Sequence, residues 1–456
     1  MAESYVKRTT GRKQMWEVLE QYRQGRNEWR TPKTVCVVDG MAGTGKTTWL
    51  LNYFKGKKVF YFSFAGLEEN LAEKLFADTV TQMTGVAVSG WEDSFRALFA
   101  KHKLILLDDL SATSSYKRFS QAFYENMVTN MRTRPFIVMI VQPTNDLVGL
   151  ADRYDPVMLG YFSVPEVMKL YPKLSKYDIL GLCTASGGVP RILEEYAADK
   201  SLEENLRDML IPTSGFITFM PELLSRYFRR PESYHHILCA IANGNHKVSE
   251  IGKFCGYAYN KCDNYLAGLI ACGFVKVEKV TTATGAEKTI YTIANNYFKI
   301  WHLCIFKNYT AIRLGDSELM NGIIRDILDK EIHSFHLQRA FSLVKERIRR
   351  EFWDIYRIMC KGGLEPRVVT KGKFQYTFDT VIQSGNKAAF VKVFEDALNN
   401  CDRDELTHLR RAVELVNMYF DSKVFIFSKR RFSDYAVAQA AKDEVISLVE
   451  VDRLKY

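Results

Sequence analysis

The chain has 456 residues, 47% apolar and 13% aromatic, with 63 Lys and Arg against 53 Asp and Glu for a formal net charge of +10. That length exceeds one hydrophobic core and implies about three domains, while the apolar content excludes a disordered chain. The basic balance favours a polyanionic partner. No apolar run approaches the roughly 20 residues needed to span a bilayer, and Met1 to Arg8 lacks a signal-peptide core. The nine cysteines are odd in number and form no Cys-x-x-Cys pair. They support neither a disulfide framework nor a zinc site. A cytoplasmic chain with reduced thiols and no membrane partner is expected.

Residues 11–28 read as a helix that leads through Trp29-Arg30-Thr31-Pro32 into the apolar strand Val35-Cys36-Val37-Val38. Next come Gly40, Met41, Ala42, Gly43, Thr44, Gly45, Lys46 and Thr47, with Thr48 opening a helix-compatible stretch to Phe54. Gly40, Gly45, Lys46 and Thr47 stand at the offsets of a phosphate-binding loop. Its glycines let backbone N–H groups turn inward onto phosphates, and the following helix N-terminus adds partial positive charge. Lys46 is expected to reach the β- and γ-phosphates and Thr47 to bind Mg²⁺, so ATP or ADP with Mg²⁺ is the implied ligand.

Lys58 to Phe64 reads as a second strand and Leu67 to Met83 as a helix. Lys103 to Asp109 is an apolar strand ending in two carboxylates. Asp108 is expected to hold the metal, directly or through its water shell, and Asp109 to orient or deprotonate an attacking water. Phe136 to Val141 is another strand, ending at Gln142-Pro143-Thr144-Asn145. Gln142, Thr144 and Asn145 are candidate γ-phosphate sensors, or the run is an ordinary turn. Arg153 is either a catalytic arginine for the γ-phosphate or a surface residue, and Val157 to Val164 reads as a last strand. Strands alternating with helices imply an α/β fold with a parallel sheet. The strand lying between the loop and the acidic strand is typical of the ATPase branch of P-loop proteins.

Residues 166–228 read as helices interrupted by Ser186-Gly187-Gly188-Val189-Pro190, which cannot continue a helix. Tyr234 to Ala242, the segment beginning at Lys247, and Tyr259 to Cys272 read as three helices. Phe274 to Glu278 and Thr289 to Ile293 follow as a hairpin. Three helices and a hairpin make a winged helix-turn-helix. Tyr257, Tyr259, Asn260, Lys261 and Asn264 lie on or beside the exposed face of its third helix, where they meet a DNA major groove unless the unit is only a packing module.

These pieces, in this order, resemble the archaeal-type ATPases of the STAND group, known also from bacteria. The resemblance spans nearly the whole chain. Thr10-Gly11-Arg12, the loop at 40–47, the acidic strand, Gly187-Gly188-Val189-Pro190 and Tyr297-Phe298-Lys299-Ile300-Trp301-His302 carry it. It implies a P-loop ATPase core over 1–165, a helical lid over 166–228 and a winged helix over 229–296. A restriction-endonuclease-like α/β tail over 297–456 completes the fold it implies. By this likeness Gly11 and Arg12 lie near the adenine, Gly188 to Pro190 close over the nucleotide, and ATP against ADP moves the lid and winged helix. Two departures stand out: Gln142-Pro143-Thr144 replaces the family's Gly-Ser-Ser, and Asp109 replaces the commoner Glu. The shorter acid suits slow turnover, as in a switch.

Nucleases of the PD-(D/E)xK type place two carboxylates and a lysine on adjacent strands, the acids to hold metal and the lysine to steady the attacking water. Phe374 to Val381 reads as one such strand and Ala388 to Phe394 as the next, with Asp379 and Lys392 at the expected positions. Phe390 stands where the second acid belongs and Thr377 where an upstream acid often stands, which leaves Glu351 as the remaining source of a ligand. The tail is therefore expected to be inactive and to bind a partner or nucleic acid. Lys345 to Arg350 and Ser428 to Arg431 are its basic segments. The readings in play are an ATP-driven switch coupled to DNA or a protein partner, a DNA-associated regulator that holds ATP structurally, and an ATP-gated nuclease. A homo-oligomer is required if a neighbouring subunit supplies an arginine.

Overall fold

The computed structural model describes residues 35–129, 136–141, 157–281, 287–332, 335, 367–384, 387–394, 401–417, 421–428 and 431–450. Gly11, Arg12, Arg153, Glu351, the 142–145 turn and the basic run 345–350 lie outside them.

Five apolar strands form one sheet: β1 (Val35–Asp39), β2 (Phe60–Ser63), β3 (Leu104–Asp108), β4 (Phe136–Val141) and β5 (Val157–Met158). Their order is β2-β3-β4-β1-β5, and every pairing is parallel. Parallel strands covered on both faces read as continuous apolar runs, because alternate residues enter two different cores. Here Val35, Val37, Phe60, Phe62, Ile105 and Leu107 enter one, and Cys36, Val38, Leu104, Leu106 and Ile140 the other. Helix α1 (Lys46–Tyr53) covers the second face through Trp49 and Leu50. Helices α2 (Glu69–Thr84), α3 (Gly90–Lys101) and α4 (Phe119–Thr129) cover the first. Helix α3 was not anticipated between the second strand and the acidic one. With β4 inserted between β1 and β3, the chain has the α/β sheet of a P-loop ATPase.

The strand expected over 157–164 is only two residues long. Ser163 and Glu166 form a reciprocal capping box, so helix α5 (Val164–Leu170) starts where the strand was expected to end. Helices α6 (Lys176–Ser186), α7 (Pro190–Leu193), α8 (Leu202–Met209) and α9 (Gly215–Tyr227) follow. Next come α10 (Pro231–Ala242), α11 (Val248–Cys255), α12 (Tyr259–Ala271) and an antiparallel hairpin of β6 (Val275–Thr281) and β7 (Glu287–Ile293). Helix α13 (Asn296–Ile300) continues into a π-helical turn, Trp301–Ile305. A single apolar core runs from Val167 to Ile332 through all of these. The expected boundaries at 228 and 296 fall inside it.

The Gly187-Gly188 corner is a clamp within that core. Gly188 has φ 74°, and a Cβ there would sit 2.0 Å from the Phe162 carbonyl oxygen. Phe162 N–H donates to Gly188 O at 2.8 Å, and the Asn295 amide donates to Gly187 O at 2.8 Å. The segment after β5, the end of α6 and the start of α13 thus meet at two residues without side chains.

A second joint is a buried histidine pair. His235 on α10 meets His302 at 3.1 Å, and His302 Nδ1 lies 2.7 Å from the Phe298 carbonyl. The carbonyl requires a proton on His302 Nδ1, so His302 Nε2 accepts and His235 donates. Both rings are neutral, because burial holds their pKa values well below the usual imidazole range.

In the tail come β8 (Arg367–Lys371) and β9 (Phe374–Phe378), and then β10 (Thr380–Ser384), β11 (Lys387–Phe394), β12 (Asp421–Ser428) and β13 (Ile446–Glu450), which form a second sheet in that order. The strand expected over 374–381 is broken at Asp379. Phe374–Phe378 pairs antiparallel with Arg367–Lys371, whereas β10 pairs with β11. The Asp379 carboxylate accepts the Val393 N–H at 2.7 Å, and Lys392 Nζ donates to the Thr377 carbonyl at 2.9 Å. Phe390 is buried against Phe378. Among the described residues no group of three or more acidic, His or Cys side chains is arranged to hold a metal.

Gly188→Ala should lower unfolding stability by about 1–3 kcal/mol, since it combines an unfavourable φ with a backbone clash. Urea denaturation checks this. For the histidine pair the folded state binds protons less readily than the unfolded state. Stability is then fully present above about pH 6.5, where both states are neutral, and is lost as pH falls below it. The melting temperature should drop over that interval, and less steeply in His235→Phe than in the wild type.

Candidate functional site

The loop at 40–45 leaves β1 at its carboxyl end, on the side of the sheet where open α/β folds bind ligands. Gly45 takes φ 79° as the cap of α1, and Trp49 N–H donates to its carbonyl at 3.0 Å, so the helix begins at Lys46. The N–H groups of the first turn have no partners within the helix and face the loop. Thr48, on that turn, is exposed.

Thr47 and Asp108 meet directly. The Thr47 hydroxyl donates to Asp108 Oδ2 at 2.6 Å, although 61 positions separate them. The Tyr61 hydroxyl donates to the same oxygen at 3.0 Å, and Asp109 N–H donates to Oδ1 at 2.8 Å. Asp108 is buried, and desolvation raises its pKa while the Thr47 bond opposes the rise. A buried carboxylate with three donors is a fixed, charged acceptor at the loop mouth.

Asp109 follows with φ 52°, and among the described residues it alone has positive φ without being glycine. Such a backbone costs on the order of 1 kcal/mol for a non-glycine residue. It turns the second carboxylate away from the strand line. Ser63 Oγ lies 3.4 Å from Asp109 Oδ2, placed there by the parallel register that sets Ser63 beside Asp108.

Lys46 folds back on the loop. Its ammonium donates to the carbonyls of Gly40 and Met41, the latter at 2.9 Å. Burial lowers its pKa to about 8, against the pull of Asp39, Asp108 and Asp109. Asp39, just before Gly40, has a raised pKa through burial, and its Oδ1 is buried without a hydrogen-bond partner.

The loop tip is covered from outside the sheet. Ala42 is 4% exposed and belongs to the helical core. Its N–H donates to the Tyr227 hydroxyl at 2.9 Å, and its carbonyl accepts from the Tyr161 hydroxyl at 3.0 Å. Gly43 has φ 80°, and a Cβ there would lie 2.5 Å from Phe219 Cζ. Thr44 bonds inward, its hydroxyl donating to Met41 O at 3.0 Å.

The structure therefore brings Gly40 through Thr48 together with Asp108 and Asp109. Gly188 and Pro190 sit at the corner against Phe162, with Pro190 opening α7. Tyr61, Ser63, Tyr161, Phe219 and Tyr227 were not anticipated. For Tyr61 and Ser63 a signal existed: Phe60-Tyr61-Phe62-Ser63 alternates phenylalanines with hydroxyls, and only the phenylalanines are wholly core. The other three come from segments whose approach to the loop has no local trace in sequence.

The chain matches no protein-family model. It is 23% identical over 334 residues to an uncharacterized protein, MJECL04, of Methanocaldococcus jannaschii, covering 69% of this chain and 72% of that one. Among solved structures it is similar to the Walker-type ATPase of Pyrococcus abyssi, at 16% identity and TM-score 0.45, over 64% of this chain and 95% of that chain. It is also similar to a STAND protein with a tetratricopeptide-repeat sensor from Pyrococcus horikoshii, at 13% identity and TM-score 0.29, over 79% of this chain and 54% of that one. The fold class rests on the strand order and the loop, not on these distant likenesses.

Proposed function

We propose that this chain is a molecular switch that binds ATP, hydrolyses it slowly, and couples the nucleotide state to DNA or a protein partner. The Thr47–Asp108 hydrogen bond is the observation that carries this reading. It sets a hydroxyl and a buried carboxylate, the hard oxygen donors that suit Mg²⁺, beside a glycine-rich loop and the first turn of a helix, whose N–H groups have no partners within the helix. Mg²⁺ bound with the nucleotide would rest on Thr47 and Asp108 and supply charge neutralisation on the β- and γ-phosphates.

The remaining chemistry belongs to the chain's own residues. Backbone N–H groups of Gly43 through Thr48 orient the phosphates, and Lys46 exchanges its two carbonyl partners for phosphate oxygens. Asp109 aligns a water for attack and accepts its proton. Hydrolysis of this kind is positioning plus electrostatic stabilisation. Arg153 is the candidate arginine for the γ-phosphate, and Gly11 and Arg12 are candidates for the adenine.

The winged-helix reading of 229–296 supplies the output. Tyr259 is 63% exposed, and Asn260, Lys261 and Asn264 on α12 are exposed as well. Lys261 Nζ lies 4.1 Å from the Tyr257 ring centre. An aromatic, amide-rich and basic helix face is the composition that meets a DNA groove. Asp109 in place of the longer Glu favours a second reading, a DNA-associated regulator that holds ATP with little turnover.

Phosphate release from Mg·ATP should fall about 100-fold or more in Lys46→Ala. Asp109→Asn should still bind ATP while losing release. Duplex DNA should raise the wild-type rate, and its retention should weaken with salt. Tight ATP binding without release, with or without DNA, sinks the hydrolysing switch in favour of the regulator. No binding of ATP sinks both.

A further inference from the structure

The loop tip makes a bond that phosphate binding alone does not require. Met41 and Ala42 share one planar peptide unit, and a planar amide moves as a body. On one edge its carbonyl, Met41 O, accepts from Lys46 Nζ at 2.9 Å. On the other edge its N–H, from Ala42, donates to the Tyr227 hydroxyl at 2.9 Å. The next peptide is held too, since Ala42 O accepts from Tyr161 at 3.0 Å. Burial raises the pKa of both tyrosines, so both keep their protons. Phe219 fills the space beside Gly43, and Gly273, after α12, approaches within 3.6 Å of Met41 Sδ, measured from the Cβ it lacks.

Tyr227 and Phe219 lie on α9, which runs from Gly215 to Tyr227. At the start of that helix the Tyr297 hydroxyl donates to Phe216 O at 2.9 Å, and Trp301 Nε1 donates to Ile217 O at 3.1 Å. A helix of this length is about 20 Å long, and Pro221 inside it lacks the N–H that Ile217 O would accept, which leaves that carbonyl to Trp301. One end touches the loop peptide that Lys46 holds. The other end accepts from the segment joining the hairpin to the tail.

We propose that Tyr161 and Tyr227 are positioning residues that clamp the Met41–Ala42 and Ala42–Gly43 peptides and so transmit the state of Lys46 to α9 and residues 296–305. This rests on the nucleotide-binding reading above and adds its route. Without phosphate, Lys46 is held by the carbonyls of Gly40 and Met41. With phosphate present, Lys46 leaves them, Met41 O keeps only its Thr44 donors, and the Ala42–Tyr227 bond changes with the altered pull on that peptide. ATP offers Lys46 both β- and γ-phosphate oxygens and ADP only the β, and this supplies the differential interaction that any ligand-driven shift needs.

Amide hydrogen exchange of the full chain tests the clamp, free and with Mg²⁺ plus ADP or a non-hydrolysable ATP analogue, alongside calorimetric affinities. In the wild type both nucleotides should protect 40–48, and the two should differ in exchange at 216–227 and 296–305. Tyr227→Phe and Tyr161→Phe each remove one hydroxyl. They should raise the ATP-analogue Kd only about 2–10-fold, the worth of one hydrogen bond. Protection of 40–48 should remain, while the ATP-against-ADP difference at 296–305 collapses. A difference at 296–305 that survives in both variants overturns the clamp and leaves nucleotide binding intact. Absence of protection at 40–48 in the wild type overturns the nucleotide reading and the clamp with it. A purely structural role would move melting temperature equally with all nucleotides and leave the difference at 296–305 in place.

Discussion

Everything at the loop mouth hangs on one carboxylate that burial disfavours. Asp108 ends a strand whose side chains are all buried, where an ionised oxygen loses its water. Three donors replace that water, each from a different place: the Thr47 hydroxyl on α1, the Tyr61 hydroxyl on β2 and the backbone N–H of Asp109. The arrangement exists only because the sheet order sets β3 between β2 and β4 while β1 delivers the loop on the far side of β4. Thr47 is thereby committed to Asp108, and the loop's first helical turn is tied to the centre of the sheet.

Lys46 supplies the opposing charge under a similar constraint. Its ammonium is buried, and its carbonyl bonds and three nearby carboxylates offset the loss of water. Those carbonyls give the ammonium oxygen acceptors without a negative charge of their own.

The sheet and the meeting of its loop residues were readable in the sequence for a local reason. Loop offsets, the apolar run before Asp108-Asp109 and alternating strand and helix patterns are all short-range signals, and the structure sets Lys46, Thr47, Asp108 and Asp109 together as they imply. Failures came where a contact outside the window decided the outcome. Ser163 and Glu166 cap a helix and cut short the strand expected to reach Val164. Asp379 is drawn to the Val393 N–H and splits an apolar run into strands of two different sheets. Helix α3 was overlooked because Trp91, Phe95, Leu98 and Phe99 pack an aromatic cluster between two more conspicuous strands. Tyr161 and Tyr227 reach Ala42 across 119 and 185 positions, and no periodicity encodes that.

Ala42 has a consequence for how portable this loop is. A loop residue that packs among helices drawn from residues 167–332 belongs to a different core from the buried apolar side chains of its own strand. The loop is therefore not a cassette that the sheet alone can shape. Substitutions on the far helices that leave Lys46, Thr47 and Asp108 in place still reach it through packing, and a transplanted sheet would arrive with its loop unfinished.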